Sequence, residues 1–119
     1  MSKTDPQERL QIVEDDVGLR SQLRWHFDKY NVVQADDRES AIAAVRQHEP
    51  AVVLQDLGLP PDAEGVEEGF KTVQEIMRLA PATKIIVITG NHDYQNAVRA
   101  VALGAYDFYQ KPINANTLD

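Results

Sequence analysis

Short apolar runs and amphipathic stretches alternate along the chain. The runs fall at residues 10–13, 31–35, 51–54 and 84–88, with a weaker one at 107–109. Each is short, and the first four are rich in β-branched residues while the last holds two aromatics, which favours strands. Val52-Val53-Leu54 and Ile85-Ile86-Val87-Ile88 do not alternate polar with apolar positions. That pattern belongs to strands covered on both faces, as in a parallel sheet. Between the runs lie helical spacings. Leu19, Leu23 and Phe27 recur every four residues, with Tyr30 beyond. Ile42 and Val45 follow Asp37, a residue suited to an N-cap. Phe70, Val73, Ile76, Met77 and Ala80 form one stripe, and Ala97, Val98 and Val101 another. The last stripe stops at Leu103-Gly104, a helix-ending signal. The order β-α-β-α-β-α-β-α-β predicts one α/β domain, with right-handed crossovers placing helices on both faces of a parallel sheet.

Two stretches depart from this rhythm. Residues 58–68 contain Pro60, Pro61, Asp62 and Gly65 among the acids Glu64, Glu67 and Glu68, marking a loop or a frayed helix start. After Pro112, residues 113–119 begin a fifth helix with no room to finish it. Residues 1–8 read as a flexible arm, so the domain is expected to occupy 1–119 with that arm at its start.

Composition narrows the class. The chain has 119 residues, enough for a single core. There is no cysteine, which excludes disulfides, thiolate metal sites and cysteine nucleophiles. A net charge of −7 argues against direct binding of nucleic acid. No apolar run approaches the roughly 20 residues of a membrane span, and no signal peptide is visible. A cytoplasmic protein is expected.

Candidate chemistry lies at the strand ends, because open α/β sheets bind ligands beyond the carboxyl ends of their strands. Glu14, Asp15 and Asp16 follow the first run, Asp56 ends the third, Thr89 ends the fourth, and Lys111 ends the fifth. Crowded carboxylates either take up protons or bind a cation. Oxygen-only ligands favour magnesium, with manganese or calcium as substitutes. Asp56 closes an apolar stretch and could act as a nucleophile forming an aspartyl phosphate. Lys111 supplies a point charge for a phosphate, and Thr89 a hydroxyl. Each has a plainer alternative. Asp15 and Asp16 could cap the first helix, Asp56 could be a strand-end residue held by amides, and Lys111 could be solvated.

At these residues the chain resembles the receiver domain of two-component response regulators. The carrying segments are Ile12-Val13-Glu14-Asp15-Asp16, Val52-Val53-Leu54-Gln55-Asp56-Leu57-Gly58-Leu59-Pro60, Ile86-Val87-Ile88-Thr89-Gly90 and Gly104-Ala105-Tyr106-Asp107-Phe108-Tyr109-Gln110-Lys111-Pro112. The resemblance implies a flavodoxin-like (βα)5 fold with strand order 2-1-3-4-5 and a truncated fifth helix. It implies that Asp15 and Asp16 hold Mg2+, that Asp56 is the phosphoacceptor and touches the metal, and that Gly58 offers a backbone carbonyl to it. Thr89 would turn toward the phosphoryl oxygens, and Lys111 would pair with them. A cis Lys111–Pro112 bond is implied too. Phe108 holds the aromatic switch position, without the hydroxyl that many relatives carry there. Asn91 and Gly58 would tune the lifetime of the phosphoryl group.

The partners implied are a histidine kinase, downstream ATPase and DNA-binding domains, and a second copy docked on the face made by the fourth helix, fifth strand and fifth helix. Asp56-Leu57-Gly58-Leu59-Pro60-Pro61-Asp62, the acidic stretch to Gly69-Phe70, and Thr89-Gly90-Asn91-His92 are similar to PEP-CTERM-box response regulators, which are linked to exosortase systems. The expected role is a signalling switch with transcriptional output rather than a turnover enzyme. A haloacid-dehalogenase-like phosphatase would want a second Asp where Gly58 stands. A glycine-rich nucleotide-binding turn is replaced by Glu14-Asp15-Asp16. A pseudo-receiver, never phosphorylated, would have lost an acid, the Thr or the Lys. His26 and His48 are expected at helix surfaces, His92 beside the active loop, and Trp25 off the apolar stripe.

Overall fold

The structure is a computed structural model that describes residues 8–62, 65–90 and 94–111. The sheet has five parallel strands: β1 (Arg9–Val13), β2 (Asn31–Ala35), β3 (Val52–Asp56), β4 (Lys84–Thr89) and β5 (Asp107–Gln110), in the order β2-β1-β3-β4-β5. The helices are α1 (Val17–His26), α2 (Arg38–His48), α3 (Glu67–Leu79) and α4 (Tyr94–Ala102). The element sequence is the one expected from the apolar pattern, and the strand order is the one the resemblance implies. The Lys111–Pro112 bond, the expected fifth helix, the N-terminal arm to residue 7, Glu64, Asn91 and His92 lie outside the described residues.

Alternation along each strand sorts side chains between two cores. Val13, Val53, Ile85 and Val87 join Ala41, Ile42 and Val45 of α2, Phe70, Val73 and Ile76 of α3, and Ala100 of α4. Leu10, Ile12, Leu54 and Ile88 face the other way and meet Leu23 of α1 and Phe27 at its C-cap. The central strands are therefore covered on both faces, which explains their unbroken apolar runs.

Local signals set the helix ends. Asp16 caps α1, accepting a hydrogen bond from the Leu19 N–H at 3.1 Å. Asp37 and Ser40 form a reciprocal box at the start of α2. The Ser40 hydroxyl and N–H hold the Asp37 carboxyl below its usual range. Gly104 ends α4 with φ 108°, a conformation that L side chains rarely adopt. One helix turns differently from its apolar stripe. In α4 the buried residues are Asn96 and Ala100, while Val98 is 46% and Val101 60% exposed. Small Ala100 lets the helix approach the sheet, and the β-branched pair is left outside. Arg99 ties α4 to α3, donating to both carboxylate oxygens of Glu67 at 2.7 and 2.9 Å, with its guanidinium over the Phe70 ring.

Candidate functional site

Parallel strands deliver all five carboxyl ends to one edge. The chain leaves β1 for β2 on one side and later returns to β3 on the other, so strand order reverses between β1 and β3. Glu14, Asp15, Asp56 and Lys111 gather at that crevice, where ligands bind in such sheets. Glu14 and Asp15 follow β1 directly, and Asp56 is the last residue of β3. One carboxylate oxygen from each of Glu14, Asp15 and Asp56 lies within 4.8 Å of the others. Lys111 reaches in from beyond β5, its Nζ 2.9 Å from Glu14 Oε1 and 3.4 Å from Asp56 Oδ1. Its backbone N–H donates to the Thr89 carbonyl at 2.8 Å, so the pairing of β5 with β4 sets where the amine arrives.

Burial and mutual repulsion set the electrostatics. Glu14 is fully buried and Asp56 is 4% exposed. Burial raises the Glu14 pKa, and the Asp56 charge raises it further, against the Lys111 amine. Burial likewise raises Asp56, opposed by the Lys111 charge, a hydrogen bond with Glu14 and the Gly58 N–H. Asp15 is raised by burial and by Glu14 beside it. For Lys111, burial would favour the neutral amine, but Glu14 and Asp56 outweigh it and hold its pKa above the usual lysine value. Among the described residues, three carboxylates thus share the Lys111 ammonium. An all-oxygen pocket of this kind fits a hard divalent cation.

The structure brings Asp15, Asp56 and Lys111 together and places Asp16 elsewhere. The Asp16 carboxylate caps α1, and Glu14 occupies the place in the cluster that was expected for Asp16. The two residues also meet, the Asp16 N–H donating to Glu14 Oε2 at 3.1 Å. The sequence carried the signal: with α1 opening at Val17, the preceding Asp is the N-cap and is taken by the helix. Thr89 ends β4 and is buried at 3% exposure. Phe108 is half-buried and packs on the core beneath α2, α3 and α4. Gly58 follows β3 with its N–H toward Asp56. Gln55 went unmarked in the sequence; its Nε2 donates to the Asp56 carbonyl at 2.8 Å and steadies the backbone there. Trp25 is 74% exposed on α1, and His26 packs edge-on against Phe27. Among the described residues no helix is long and apolar enough to cross a membrane.

The chain matches the family model of the response regulator receiver domain over residues 10–119. It is 33% identical over 114 residues to the transcriptional regulatory protein KdpE of Staphylococcus aureus, covering 94% of this chain and 47% of that protein. It is 31% identical over 116 residues to the C4-dicarboxylate transport transcriptional regulatory protein DctD of Pseudomonas aeruginosa, covering 96% of this chain and 24% of that one. It therefore spans about half or less of these relatives. The solved structure of a CheY-like response regulator receiver domain protein from Methanospirillum hungatei superposes with a TM-score of 0.84 at 26% identity, covering 94% of this chain and 87% of that one. With strand order, pocket and sequence in agreement, the chain belongs to the receiver-domain family of two-component response regulators, a family of signalling domains.

Proposed function

We propose that this receiver domain accepts a phosphoryl group on Asp56 from the phosphohistidine of a histidine kinase, in a Mg2+-dependent reaction. The observation that carries the reading is the position of Asp56: a buried carboxylate at a strand end, with the Lys111 amine at 3.4 Å and Glu14 and Asp15 in the same pocket. Glu14, Asp15, Asp56 and the Gly58 carbonyl would hold the cation. When bound, it neutralises the carboxylates and the charge on the transferring group.

An Asp56 carboxylate oxygen attacks phosphorus while the P–N bond to the kinase histidine breaks. The imidazole leaves with the electron pair and takes up a proton. Lys111, positively charged throughout, offsets charge on the equatorial oxygens. Thr89, at the end of the adjacent strand, turns its hydroxyl to the new phosphoryl group. That group adds about −1.5 to −2 charges and three strong acceptors. Phe108 then moves toward the space behind Thr89, and the outer face of α4 and β5 changes. Water later cleaves the acyl phosphate, with Asn91 and Gly58 tuning the rate.

Tyr94, Val98, Val101 and Tyr106 are exposed apolar residues on α4 and just before β5. They support docking of a second copy on that face after phosphorylation. The names of KdpE and DctD support a transcriptional output, carried by DNA-binding and ATPase domains in a longer protein. The resemblance to PEP-CTERM-box regulators points the same way.

Incubation with acetyl phosphate and Mg2+, followed by intact-mass measurement, tests the proposal. One phosphoryl adduct is expected, labile to hydroxylamine, absent without Mg2+ and absent in Asp56→Ala. No adduct on folded wild-type protein would favour an unphosphorylated interaction module.

A further inference from the structure

Arg38 is the first residue of α2, directly after the cap Asp37. Its Nε donates to Glu68 Oε2 at 2.6 Å, and its Nη1 lies 3.6 Å from Glu75 Oε1. The Glu68 side chain is 11% exposed and the Arg38 side chain 41%, so the contact is charge-assisted and shielded on the Glu68 side.

The position of Glu68 gives the contact its reach. Glu68 lies in the first turn of α3, whose N-cap Val66 offers no side-chain hydrogen bond. The start of that helix is therefore held by tertiary contacts instead of a local cap. Gly69 follows, and its N–H donates to the Leu57 carbonyl at 3.2 Å. The approach is so close that a Cβ on Gly69 would stand 2.3 Å from Leu57 Cα. The Leu57 carbonyl also accepts from Leu59 N–H at 3.1 Å, which folds the chain back over Gly58. Leu57 joins Asp56 to Gly58. A continuous path thus runs from Arg38 through Glu68 and Gly69 to the two residues that flank Leu57. On the outer side, Arg38 and Glu68 share a groove of about 570 Å³ with Pro60 and Pro61, so the same pair borders the loop that Gly58 begins.

We propose that Arg38 is a positioning residue for the cation pocket: by anchoring Glu68 it fixes α3 against Leu57 and so sets the aim of the Gly58 carbonyl and the Asp56 carboxylate. This rests on the reading of the pocket as a Mg2+ site. Contacts that orient metal ligands from outside typically change metal affinity by about tenfold or more when removed.

The test is Mg2+ titration of the full chain without phosphodonor, following the amide resonances of Gly58 and Gly69. Arg38→Ala is expected to weaken Mg2+ binding about tenfold. Its phosphorylation rate with acetyl phosphate should return to the wild-type value at saturating Mg2+. Glu68→Gln keeps the side-chain shape and should weaken binding in the same direction. The exchanged pair Arg38→Glu with Glu68→Arg should recover part of the loss. A folded Arg38→Ala or Glu68→Gln protein that binds Mg2+ with the wild-type constant overturns the inference, as does a loss that saturating Mg2+ does not restore. If wild-type protein itself binds no Mg2+, the pocket reading fails and this inference with it.

Discussion

Asp56 is held in a state that costs stability. Its pKa and that of Glu14 are raised above the usual values of 3.8 and 4.5, first by burial. A carboxyl whose folded pKa is raised favours folding fully below its unfolded value and loses that contribution as pH rises through the folded value. Without Mg2+, the pocket therefore weakens the fold as pH climbs from about 4 toward neutrality. Asp56→Asn removes one charge and leaves Lys111 its nearer partner, Glu14. Its thermal midpoint at pH 7 should exceed that of the wild type by a few degrees, with the gap closing toward pH 4 and narrowing when Mg2+ is added. A gap independent of pH would contradict this account. Asp56 and Thr89 were legible in the sequence as residues at the ends of apolar runs, and Lys111 as the residue after a short aromatic one. The choice among three consecutive acids turned on helix geometry. Once α1 opens at Val17, Asp16 serves as its cap and Glu14 points into the crevice.

At the level of elements, the junction of β3 with α3 is the least forgiving. Gly69 packs on the Leu57 backbone with no room for a methyl group. Gly69→Ala must push α3 away from the strand that carries Asp56. Denaturant melts should record a loss of about 1–3 kcal/mol, as for other overpacked sites. Phosphorylation should fall further than stability alone explains. A variant with wild-type stability and adduct formation would show that the helix can yield. This contact joins residues 57 and 69 across a loop, and the Arg38–Glu68 pair spans 30 positions. Neither leaves a periodic trace in sequence, whereas the α3 stripe did. The α4 stripe was visible but its direction was not. Apolar spacing identifies a helix face, and here Asn96 and Ala100 do the packing instead.

On the scale of the whole molecule, the exposed apolar face of α4 is the feature most at odds with an isolated soluble surface. Val98 and Val101 lie on the same side as Tyr94 and close to Tyr106 in sequence order. Light scattering should find phosphorylated protein self-associating more strongly than unphosphorylated protein. Val101→Glu should reduce that association without reducing adduct formation, since the residue is remote from Asp56 in the chain and points outward. Equal association before and after phosphorylation would remove the link between pocket and face. The overall architecture was readable because every strand of a parallel sheet announces itself by an apolar run. The distribution of helices between the two faces required the strand order itself.

That strand order has one more effect. Among the described residues β5 pairs only with β4, yet Lys111, just past its end, brings an ammonium to the pocket. Edge pairing is the first to fray in a sheet. A brief separation of the last strand would leave the acids without their counter-charge while the central strands stay paired. Amides at 107–110 should therefore exchange with deuterium sooner than those of β1 and β3. A cation in the pocket would make that separation less costly to the acids, so exchange at 107–110 should quicken when Mg2+ is added.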